Sequence, residues 1–73
     1  MIKISLACSD EILLVEAEGI RKRYEVGSLI KFKTNEGIFV KGLISAIRPD
    51  DISVFHDESD YVYKMDDICE VDL

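Results

Sequence analysis

Asn35-Glu36-Gly37-Ile38-Phe39-Val40-Lys41-Gly42-Leu43-Ile44-Ser45-Ala46-Ile47 is the stretch on which the fold turns. Thr34-Asn35-Glu36-Gly37 reads as a hairpin loop in which Gly37 supplies a positive φ at little steric cost. Ile38 to Ile47 then reads as a strand of ten residues, longer than the usual run of about five or six. Alternation puts Ile38, Val40, Ile44 and Ala46 on one face and Phe39, Leu43 and Ile47 on the other. A strand apolar on both faces with Gly42 at its centre predicts a sharp bend, because glycine lets the chain coil and another backbone approach.

Working outward, Val26-Gly27-Ser28 is a turn-like entry to a strand over Leu29–Lys33, with Ile30 and Phe32 on one face. Pro49, Asp50 and Asp51 end the long strand. Ile52–Phe55 is the next, Asp57-Glu58-Ser59-Asp60 a polar hairpin loop, and Tyr61–Lys64 the strand that answers it. Met65-Asp66-Asp67 is a tight connection, and Ile68–Val71 closes the series. The expected fold is mainly β: a small, five-stranded, strongly bent antiparallel barrel over residues 27–73.

Residues 1–26 are expected as an N-terminal extension packed on that barrel, a strand or a short helix, within one domain of 73 residues. Ile2-Lys3-Ile4-Ser5-Leu6 alternates as a half-buried strand. Ser9-Asp10-Glu11 offers an N-cap and acids for a helix over Ile12–Glu18 that stops at Gly19. The same residues alternate as a strand carrying Leu13, Val15 and Ala17. Periodicity leaves both open, and the marginal stability of a two-turn helix tilts the balance to strand.

With 48% hydrophobic and 33% charged residues, the composition is that of a globular chain rather than a disordered one. The longest aliphatic run, Ile12–Val15, is far short of the roughly 20 residues of a membrane span. Met1-Ile2-Lys3-Ile4-Ser5 does not resemble a secretory signal, so no membrane is expected and a cytoplasmic location is. Cys8 and Cys69 are then expected as reduced thiols, and without a CxxC pair they suggest no metal. The net charge of −6 is uneven: −3 over residues 1–19, +5 over 20–48 and −8 over 49–73. Paired strands can neutralise such segments locally.

Asn35 to Ile47 resembles the first motif of the bacterial Sm-like family, which includes Hfq and YolD-like proteins: a strand, a turn with Gly, then an apolar-x-Gly-Leu-Ile bend. Tyr63-Lys64 followed by Asp67-Ile68 is similar to the second motif, and the resemblance spans residues 28–72. KOW and other SH3-like barrels share related patterns. The resemblance implies a five-stranded barrel, often assembled into rings through edge strands, and a uridine pocket to which Tyr63 and Lys64 would contribute. Met65 stands where the family has His, and Asp66 and Asp67 set two negative charges beside Lys64. Adjacent carboxylates oppose phosphate binding, which moves the expectation from RNA towards protein.

No enzyme is expected. His56 and Asp57 form the one His–carboxylate neighbour pair, but no motif places a nucleophile with them. The 57–60 loop lacks the glycine and closing Glu of a calcium loop, and no cofactor or small-molecule substrate is suggested. The basic run Arg21-Lys22-Arg23 with Tyr24, extended by Phe39, Lys41, Tyr63 and Lys64, is the candidate nucleic-acid surface. The favoured function is a protein-interaction or regulatory module, with a protein partner or self-association using edge strands and the second face of Ile38–Ile47. The alternative is an Sm-like RNA-binding protein using the basic segment 21–48.

Overall fold

The computed structural model describes residues 5–9, 11–17 and 19–73. Among these the chain is mainly β, with two antiparallel sheets. Strands β1 (Ser5–Ser9), β2 (Ile12–Ala17) and β3 (Ile20–Tyr24) form a three-stranded sheet in sequence order. Strands β4 (Leu29–Thr34), β5 (Phe39–Ile47), β6 (Asp51–His56), β7 (Ser59–Lys64) and β8 (Ile68–Val71) form the second, in the order β7-β6-β5-β4-β8. A single 3-10 turn, Met65–Asp67, joins β7 to β8. No helix among the described residues is long and apolar enough to cross a membrane.

The N-terminal segment departs from expectation. The strand favoured from Ile12 is present as β2 and the helix is not, but β2 lies between β1 and β3 in a sheet of two successive hairpins rather than as a single strand. Burial alternates along β2 with period two: Leu13, Val15 and Ala17 are buried while Leu14 and Glu16 are exposed, which only an extended chain can do. Gly19, at φ 80°, turns β2 into β3 rather than ending a helix. The residues Ile2, Lys3, Ile4, Asp10 and Glu18 of the expected segments lie outside the described ones.

The inner faces of the two sheets share one core. Leu13, Val15 and Tyr24 from the first sheet cluster with Ile30, Phe32, Val40, Ile44, Ile52, Val54, Ile68 and Val71 from the second. Strand β5 begins at Phe39, one residue later than expected. Ile38 instead belongs to the hairpin loop, where its amide donates to Thr34 Oγ1 and its carbonyl accepts from the Thr34 amide. Pairing with β6 shifts between Ile44 and Ala46, so Ser45 bulges out of register. The bulge reverses the alternation beyond it, and Ile47 is buried rather than sharing the outer face with Phe39 and Leu43. The polar loop after β6 is also shorter than expected. Only Asp57 and Glu58 turn the chain, both at positive φ, while Ser59 and Asp60 already belong to β7.

Gly42 is buried where β5 meets β6. A Cβ there would collide with the Phe55 carbonyl oxygen and stand 2.7 Å from Val54 Cγ1. The glycine is thus required by close approach of the neighbouring strand, while Gly37, at φ 81°, is required by its turn.

Candidate functional site

Alternation along β4 buries Ile30, Phe32 and Thr34 and turns Leu29, Lys31 and Lys33 outward. Alternation along β5 buries Val40, Gly42 and Ile44 and turns Phe39, Lys41 and Leu43 outward. The hairpin register then pairs Leu29 with Leu43, Lys31 with Lys41, and Lys33 with Phe39. One face of two strands therefore carries a leucine pair, a lysine pair and a lysine–phenylalanine pair.

Leu43 also pairs with Phe55 of β6, which extends the leucine pair into a row across three strands. Leu29, Leu43 and Phe55 are each about half exposed. Phe39 is 79% exposed, the most of any large apolar side chain among the described residues. Lys33 Nζ lies 5.6 Å from the centroid of its ring, within range of a cation–π contact. A groove of about 440 Å³ on this face is lined by Lys31, Lys33, Phe39 and Lys41 together with Glu70 and Asp72 of the β8 segment.

The other basic segment is arranged differently. Tyr24 is buried in the core, so its ring has no free face on which a base could stack. Arg21 pairs with Glu16 at 3.3 Å and Arg23 with Glu25 at 3.5 Å, and Lys22 Nζ lies 5.2 Å from the Tyr24 ring centroid. Strand β3 is a sheet edge, where such charges discourage pairing with another chain. Of the residues singled out in the sequence, Phe39 and Lys41 share the grid, Arg21 to Tyr24 lie in the other sheet, and Tyr63 and Lys64 lie on β7.

Tyr63 is half-buried and already engaged. Its ring packs edge-on against Phe32 with centroids 5.1 Å apart, and its hydroxyl is 2.6 Å from His56 Nε2. His56 Nδ1 is 3.2 Å from Asp57 Oδ2. A carboxylate only accepts, so Nδ1–H donates to Asp57, and when the ring is neutral Nε2 accepts from the Tyr63 hydroxyl. Burial raises the Tyr63 phenol above its ordinary value, with Tyr61 and Asp57 adding in the same direction. Lys64 is exposed at the end of β7, next to the turn that carries the exposed Asp66 and Asp67.

No family model, curated protein or solved structure matches the chain. Among the described residues no group of three His, Cys, Asp or Glu is placed to hold a metal ion. Cys69 is a free thiol that donates to the carbonyls of Lys33 and Thr34 at 3.4 and 3.3 Å. The Cys8 side chain lies outside the described ones. Reasoning from the sequence singled out Phe39 and Lys41 but left out their partners Lys33 and Lys31, and Leu29 and Phe55 with them. The signal was the hairpin itself, since the loop at Gly37 fixes which residues of β4 face which residues of β5.

Proposed function

We propose that this protein is a non-enzymatic binding module, a small Sm-like or SH3-like barrel that takes a protein partner or a second copy of itself on the outer face of β4, β5 and β6. The observation that carries this is the exposed row Leu29–Leu43–Phe55. Contiguous apolar side chains outside a core mark interaction surfaces. The non-enzymatic assignment is supported by His56, whose ring nitrogens are both occupied, by Asp57 and by Tyr63. A free Cys69 thiol is in keeping with a cytoplasmic setting.

The barrel form is supported by a distance argument. In a flat five-stranded sheet the outermost strands stand about 19 Å apart, at roughly 4.8 Å per gap. Here those strands are β7 and β8, yet only Met65–Asp67 joins them. A 3-10 turn rises only about 2 Å per residue, so the sheet has to curl for the turn to reach. Such a curl is what the Sm-like resemblance implies.

Size-exclusion chromatography with light scattering, together with affinity capture by the wild type and by Leu43→Asp, tests the proposal. Self-association or identified partners lost in Leu43→Asp support it. A strict monomer whose captured proteins are unchanged by the substitution ends it. RNA binding is the second reading, favoured by the exposed Phe39 between Lys33 and Lys41. Loss of affinity for RNA with rising salt would support that reading, and no binding at low salt would remove it.

A further inference from the structure

We propose that the β4–β5 face binds an acidic protein segment, its carboxylates set among Lys31, Lys33 and Lys41 and an apolar side chain laid on Phe39. This rests on the protein-binding function proposed above and names the chemistry of the partner. Lys31 and Lys41 stand directly opposite each other on paired strands. Like charges in that position destabilise a sheet, so the pair works against the fold that carries it. Among the described residues, the ion pairs are Arg21–Glu16, Arg23–Glu25, Arg48–Asp51 and His56–Asp57, and none involves these three lysines. This holds in a chain of net charge −6, with nine acids in residues 49–73 alone. The fold brings cations together on this face and, among the described residues, leaves them without a carboxylate within 4 Å.

The acids that share the groove decide between kinds of anion. Glu70 is paired across strands with Lys33, and the Asp72 amide donates to the Lys31 carbonyl, so both residues lie next to the lysines of β4. A nucleic acid carries a charge at every step, and its phosphates would meet these carboxylates as well as the lysines. A peptide can place acids only where lysines face it and neutral residues along β8. Its apolar side chains have Phe39 to cover, and beyond it Leu43 and Leu29.

The experiment is a titration of the isotope-labelled protein, followed by amide chemical shifts, with a short peptide alternating Glu and Leu. A Lys–Leu peptide and an oligouridine serve as comparisons, at low and at physiological salt. The expected result is saturable binding of the Glu–Leu peptide alone, with shifts centred on Leu29–Leu43 and Glu70–Asp72. Lys41→Glu should weaken it at least about tenfold, as loss of a charge pair does at other interfaces. The same substitution should raise the urea midpoint, because a carboxylate in place of the Lys41 ammonium would oppose Lys31 favourably, so weaker binding cannot be put down to misfolding. Absence of binding at low salt, equal binding of the Lys–Leu peptide, or displacement by oligouridine overturns the inference. If any of these occurs while Leu43→Asp still abolishes partner capture, the proposed function stands without it.

Discussion

Gly42 and Phe55 occupy neighbouring strands so closely that the glycine has no room for a side chain beneath the Phe55 carbonyl. The nearest obstacle is backbone, which cannot swing aside as a long side chain can, and the side-chain atoms Val54 Cγ1 and His56 Cβ stand beside it. Gly42→Ala should therefore destabilise the protein by about 2–3 kcal/mol, the range of overpacking in a filled core. Urea unfolding measures this, and a change below about 0.5 kcal/mol would show that β6 yields easily.

The turn between β6 and β7 makes the opposite prediction. Asp57 and Glu58 sit at φ 50° and 66°, the two-residue geometry that favours glycine at its second position. Glu58→Gly should stabilise the fold by about 0.5–1 kcal/mol, the relief of a left-handed non-glycine residue less the extra entropy of the unfolded chain. Thermal unfolding should show a higher midpoint, with no change at His56, whose contact is to Asp57.

Alkaline pH should destabilise the protein through its tyrosines. Burial raises Tyr24 above 10.0, with the charge of Asp72 adding to it, and Tyr63 is raised mainly by burial as well. Between the unfolded and folded values the native chain holds protons that the unfolded chain has released, so stability is full below pH 10 and falls as pH rises through the folded values. Tyr24→Phe and Tyr63→Phe should each flatten that fall. Tyr63→Phe should also cost about 1 kcal/mol at neutral pH, for the hydrogen bond to His56.

Asn35 joins the β4–β5 loop to the turn before β8. Its amide donates to the Asp67 carbonyl and its side-chain Nδ2 to the Asp66 carbonyl, both at 2.8 Å. Asn35→Ala removes only the second bond and should cost about 1 kcal/mol in urea unfolding. Asn35→Asp should cost at least as much, because a carboxylate cannot donate to that carbonyl.

What could be read in advance follows from which forces are local. The hairpin at Gly37, the strand after it and the glycine at its centre were legible because turn chemistry and alternation are written in adjacent residues. Ile47 faces inward against the simple alternation because the bulge at Ser45 answers to the pairing with β6, which no run of neighbours records. The strand over Ile12–Ala17 stayed ambiguous for a related reason: Leu13, Val15 and Ala17 declare a face only once a second sheet lies against it. At the site, Phe39 and Lys41 were recognised from residue type, whereas Tyr24 was not excluded until its place in the core was known.

The pairing of β4 with β8 has a consequence in time as well as in space. Phe32 meets Val71 across 39 residues of chain, whereas β4 with β5, β5 with β6 and β6 with β7 are joined by short connections. Closing so long a segment costs more entropy than any hairpin, and that cost falls before the contact can return it. The hairpins of β4 to β7 are then expected to form first and β8 to dock after them. Substitutions in β8 should change the rate of folding more than substitutions at the β6–β7 turn do.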